Sequence, residues 1–89
     1  MDMATHEATA LVPPGVGLHA RPAALFVQRA GAFSSTIRLT CGERSADGKS
    51  ILGVLQLGAS AGSQVTIHAE GDDAHAAAEA LATFIREIA

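Results

Sequence analysis

Residues 35–47 read STIRLTCGERSAD. Ile37, Leu39 and Cys41 fall on one side of this run, and Thr36, Arg38 and Thr40 on the other. Alternation at period two marks a half-buried strand, apolar face to the core and polar face to water. Gly42-Glu43 then suits a two-residue hairpin turn with glycine first. Arg44 to Asp47 returns as a short polar strand, which fits a sheet edge.

The flanking segments supply the remaining elements. Downstream, Ser50 opens SILGVLQL, a short helix closed by Gly58. Residues 63–69 (SQVTIHA) alternate again, with Val65, Ile67 and Ala69 inward. Gly71-Asp72-Asp73 breaks that strand and offers an acidic N-cap beside the positive end of the next helix. That helix runs over about 73–88 with Ala77, Leu81, Phe84 and Ile88 on one stripe. Upstream, residues 6–12 (HEATALV) form a first strand with Ala8, Ala10 and Val12 on one face. Pro13-Pro14-Gly15 ends it, since proline cannot donate to a ladder. Residues 20–30 place Ala23, Phe26, Val27 and Ala30 at helical spacing, with Pro22 in the first turn and Gly31 as the stop. The order is β-α-β-β-α-β-α. An α+β fold follows: one antiparallel sheet with all helices on one face.

Length and composition bound the function. The 89 residues make one domain, 1–89, able to bury a core without staples. Only three residues are aromatic, so the core is thin and anchored by Phe26, Phe84, Leu81 and Ile37. A net charge of −3 without clustered Lys and Arg argues against nucleic acid. The lone Cys41 forms no internal disulfide and predicts a reducing compartment. Its inward phase marks it as a small buried hydrophobe. No apolar run approaches a membrane span, and the N-terminus lacks a signal pattern. The expected location is the cytoplasm.

Residues 17–24 read GLHARPAA and carry the chemistry. His19 lies between a glycine-containing loop and the first turn of a helix. Helix starts gather unpaired N–H groups and a partial positive charge, here from Ala20 and Arg21. The Arg21 guanidinium adds a fork suited to phosphate oxygens. The same field disfavours a protonated imidazole, which keeps a ring nitrogen lone pair available. Spacing alone leaves two readings open: a capping or surface histidine, and a histidine that accepts and surrenders a phosphoryl group.

GLHARPAA resembles the active-site signature of HPr, the histidine-containing phosphocarrier family of the phosphoenolpyruvate-dependent sugar phosphotransferase system. GKSILGVLQLG resembles that family's second helix with its regulatory serine, and EGDDAHAAAEAL the start of its last helix. The resemblance covers nearly the whole chain and implies an HPr-like open-faced β-sandwich, a four-stranded antiparallel sheet with three helices on one face. His19 matches the histidine phosphorylated on Nδ1, Arg21 the arginine that helps hold the phosphate, and Ser50 a serine modified by a dedicated kinase. One feature departs from the pattern. PPGVG before the histidine is a residue longer than usual, and Val16 stands where many members carry Asn or Ser touching the ring. Ring orientation is then left to backbone groups.

The implied function is a carrier rather than an enzyme, with no cofactor. Enzyme I would load His19, and sugar-specific EIIA domains would unload it. HPr kinase/phosphorylase would act on Ser50, whose residue-level reading is a helix N-cap. Ile51, Leu52 and Leu55 are apolar surplus on a short helix and would form the docking surface, while Val54 and Leu57 go to the core. A monomer without membrane insertion is expected. Alternatives are a nitrogen-related or dihydroxyacetone-kinase phosphotransfer pathway, or a regulatory module switched at Ser50 alone. Members of that last type lack the histidine. His6, His68 and His75 show no tight ligand spacing, so no metal site is expected.

Overall fold

A computed structural model of the chain describes residues 4–15 and 20–88. Its elements are β1 (Thr5–Leu11), α1 (Ala20–Ala30), β2 (Thr36–Cys41), β3 (Arg44–Asp47), α2 (Ile51–Leu57), β4 (Gln64–Glu70) and α3 (Ala74–Glu87). The four strands form one sheet in the order β1-β4-β2-β3, every pair antiparallel. This is the β-α-β-β-α-β-α architecture expected from the sequence.

The hairpin forms as the alternation predicts. Arg38 pairs with Asp47 and Cys41 with Arg44 across Gly42-Glu43. Gly42 takes φ +62°, a left-handed backbone that a Cβ would penalise. Ile37 and Leu39 are buried, and Cys41 packs half-buried against the same core. β4 sits between β1 and β2, so Val65, Ile67 and Ala69 lie at the centre of the apolar face. In β1, Ala8 and Ala10 face inward, followed by buried Val12. Val12 extends the pairing, exchanging backbone hydrogen bonds with the 62–63 turn at 2.8 and 2.9 Å.

α3 packs on β1 and β4, while α2 packs on β2 and β3. α1 packs against both other helices. Phe26, Leu81 and Ile37 are buried core anchors, as expected. Removing one such side chain from water stabilises the fold by roughly 1.5–3 kcal/mol.

Phe84 departs from the expectation. It is only partly buried, its ring centroid 6.1 Å from that of Phe26 and beneath the Arg29 guanidinium at 4.9 Å. The buried stripe of α3 is instead Ala74, Ala77, Ala78, Leu81, Ala82 and Ile85. The physical reason is size. The inward faces of β1 and β4 carry Ala8, Ala10 and Ala69, so an alanine-rich helix face can approach closely. Phe84 is turned to the rim, and Ile88 ends up partly buried beside it.

Two helix ends also differ from the simple reading. Gly31 follows α1 without a left-handed backbone. The chain leaves instead through i→i+3 bonds from Ala32 to Arg29 and from Phe33 to Ala30, at 3.1 and 3.2 Å. Asp73 stands at the N-cap of α3, its carbonyl accepting the Ala77 amide at 2.8 Å, but its side chain makes no capping hydrogen bond. Its carboxylate accepts from the Ser34 amide at 2.9 Å, the Ser35 amide at 3.0 Å and the Ser35 hydroxyl. It therefore ties the start of α3 to the loop before β2.

Candidate functional site

α1 begins at Ala20, directly after the sequence-predicted acceptor His19. His19 itself lies outside the described residues, with Val16, Gly17 and Leu18. The described part of the site is the first turn of α1. Ala20 and Arg21 are exposed there, and Pro22 is buried. Proline fits this turn because it has no N–H to leave unsatisfied. Pro22 thus anchors the turn while its neighbours face solvent. No acidic residue occupies the first turn, so nothing on the helix itself offsets its positive end.

Arg21 opens onto a cleft of about 660 Å3 between α1 and α3. Leu25 and Arg29 follow it along the cleft wall at intervals of four residues, and Thr83 and Glu87 face them from α3. The sequence reading missed Leu25 and Arg29. Their signal was present: positions 21, 25 and 29 recur on one helix face. Leu25 is 43% exposed, a large apolar side chain in water beside the turn that carries Arg21.

α2 is built from its ends. Ser50 has an extended backbone and its hydroxyl oxygen accepts the Gly53 amide at 3.1 Å, while Val54 N–H bonds the Ser50 carbonyl at 2.9 Å. Gly58 closes the helix with φ +70°, its N–H bonding the Leu55 carbonyl. Fixing both ends of so short a helix sets which side chains face out. Val54 and Leu57 go to the core, as expected. Ile51, Leu52 and Leu55 are exposed at 46%, 62% and 37%. The apolar surplus read from the sequence is therefore surface.

His68 takes the outward phase of β4, its Nδ1 2.8 Å from Glu7 Oε2 across the sheet. Among the described residues, no group of metal-ligating side chains adjoins the start of α1. No helix among them is long and apolar enough to cross a membrane.

Comparison with known proteins bears on this arrangement. The model of the family described as "PTS HPr component phosphorylation site" matches residues 6–87. The phosphocarrier protein HPr of Lysinibacillus sphaericus is 44% identical over 86 residues, 97% of this chain and 96% of that one. The HPr-like protein Crh of Bacillus subtilis is 45% identical over 71 residues, 80% of this chain and 84% of that one. The crystal structure of HPr from Bacillus anthracis superposes with a TM-score of 0.86 at 41% identity, covering 92% of this chain and 98% of that one. A match of this extent in sequence and in fold leaves one conclusion: the chain belongs to the HPr family of phosphocarriers of the phosphotransferase system.

Proposed function

We propose that the chain is a phosphocarrier whose acceptor is His19. Enzyme I, phosphorylated from phosphoenolpyruvate, docks on the apolar surface of α2 and presents its phosphohistidine. The P–N bond to the donor breaks as a P–N bond to His19 Nδ1 forms. The first-turn amides of Ala20 and Arg21 and the Arg21 guanidinium hold the equatorial oxygens through the in-line transfer. A second transfer passes the group to a histidine of an EIIA domain. The chain is regenerated unchanged, so it is a carrier that its partner enzymes use as a substrate.

The observation that carries this reading is the start of α1: a helix opening right after His19, with Arg21 exposed in an acid-free first turn. The exposure of Ile51, Leu52 and Leu55 supports docking beside it. Contacts of this kind are small and short-lived, which suits a carrier that must leave both partners. A monomer in the cytoplasm serves that cycle, because a self-associated docking face would be closed to partners. Ser50 at the head of α2 is the site for HPr kinase/phosphorylase. A phosphate there adds roughly −1.5 to −2 charge next to Ile51 and Leu52.

The test is incubation with phosphoenolpyruvate and enzyme I, read by mass spectrometry. The expected result is an acid-labile gain of one phosphate that is absent in His19→Ala. No gain, or an equal gain in that variant, rejects the assignment. The similarity to Crh raises a second reading, a regulatory module switched at Ser50 alone, against which the presence of His19 weighs. That reading predicts Ser50 phosphorylation by the kinase and none at His19.

A further inference from the structure

Three side chains with metal-ligating atoms meet where β1 passes α3. His75 and Glu79 are four residues apart on α3 and therefore share a face. His6 comes from β1, on the same inward phase as Ala8 and Ala10. His6 Nε2 lies 2.8 Å from Glu79 Oε2, and the His6 and His75 ring centroids are 4.3 Å apart at 62°. One ligand atom from each of the three lies within 4.8 Å of the other two.

We propose that His6, His75 and Glu79 form a three-ligand site for a divalent transition ion of the zinc class. Zinc takes imidazole nitrogen and carboxylate oxygen at about 2.0–2.2 Å. Ligand atoms on a tetrahedron of that radius stand about 3.4 Å apart. The His6–Glu79 pair stands at 2.8 Å and the other pairs lie within 4.8 Å, so the three ligand atoms are close enough for side-chain rotation to draw them onto one ion. Two imidazoles and one carboxylate select zinc, nickel or copper over magnesium and calcium, which take oxygen ligands. The His6 and Glu79 side chains are 30% and 48% exposed, so the ion can enter and keep a water ligand. The His75 imidazole is exposed and has no hydrogen-bond partner among the described residues.

The site bridges the first strand and the last helix, elements whose packing holds the two ends of the chain together. An ion bound only by the folded form raises its stability by mass action. The ligands stand outside the α1 turn and the α2 surface assigned to phosphoryl transfer, so this inference does not depend on that assignment.

The experiment is titration of the full-length, untagged chain with Zn2+ by calorimetry, with thermal unfolding and histidine ring-proton NMR alongside. The expected result is one ion per chain, perturbed resonances of His6 and His75 with His19 and His68 unmoved, and a higher Tm with Zn2+. His75→Ala and Glu79→Gln should each weaken binding by at least the roughly 10–100-fold that loss of an outer-shell partner costs. Both positions are exposed, so these variants keep the fold. Absence of one-to-one binding overturns the proposal. So does binding that survives both substitutions or that shifts His19 or His68 instead.

Discussion

Gly71 lies against Ser35 so closely that a Cβ on Gly71 would stand 2.6 Å from the Ser35 Oγ and 2.8 Å from its Cα. The second distance matters more, because a backbone atom cannot rotate away. Gly71 also takes φ +147°, which side chains rarely adopt. Gly71→Ala should therefore destabilise the fold by roughly 2–4 kcal/mol, combining overpacking with backbone strain. Gly62, at φ +83° and with nothing within 4 Å of where a Cβ would stand, isolates the strain. Gly62→Ala should cost only about 1 kcal/mol. Equal urea midpoints for the two variants would contradict the contact.

Asp73 makes the same junction sensitive to acid. The Ser35 hydroxyl first, then the Ser34 and Ser35 amides, hold its carboxyl below the usual 3.8. A folded pKa below the unfolded one gives stability that is complete above the unfolded value. It fades as pH falls through the folded value. Asp73→Asn puts an N–H where one of the accepting oxygens stood. The variant should melt several degrees below the wild type at neutral pH. The gap should narrow as pH drops below 3.8. A gap that stays constant down to strongly acid pH would mean the charge of Asp73 is not what matters.

These two residues show where sequence reading stops. Alternation placed β2 and β4, the Gly42-Glu43 turn placed β3, and Ser50 and Gly58 bounded α2, because those signals are local. Asp73 was legible as a helix-start residue, yet its partners Ser34 and Ser35 lie far back in the chain. Phe84 was legible as apolar, but close approach of alanine faces between α3 and the sheet turned it to the rim. His6 and Glu79 are 73 positions apart, so only the packing of β1 on α3 makes them neighbours. On the functional side, the start of α1 and the exposed α2 side chains were readable from motif and apolar surplus. That Leu25 and Arg29 line the cleft escaped because it depends on which face of α1 borders α3.

Ser50 separates two effects that a single substitution usually mixes. Its hydroxyl oxygen caps the Gly53 amide at 3.1 Å. Ser50→Ala should cost about 1 kcal/mol of stability while leaving phosphoryl acceptance from enzyme I intact. Ser50→Asp retains a capping oxygen and so retains stability. It places a negative charge beside Ile51 and Leu52 and should slow acceptance on the order of tenfold. Paired denaturation and transfer assays check this. If the alanine variant transfers more slowly than the aspartate variant, the charge argument fails.

Leu52 tests the docking surface with the fold held constant. It is 62% exposed, so Leu52→Ala removes little buried area, and stability should change by no more than about 0.5 kcal/mol. Val54, two residues on, is fully buried in the same helix. Val54→Ala should cost roughly 1–3 kcal/mol through the cavity it leaves. At a partner interface the ranking reverses. An exposed leucine inserted into a partner can be worth more than about 1 kcal/mol, so Leu52→Ala should raise the KM for this chain as substrate of enzyme I by on the order of tenfold. Val54→Ala, still folded below its melting point, should leave that KM near the wild-type value. Steady-state transfer with the two variants side by side makes the comparison. If KM follows stability rather than exposure, α2 is not the surface that partners touch.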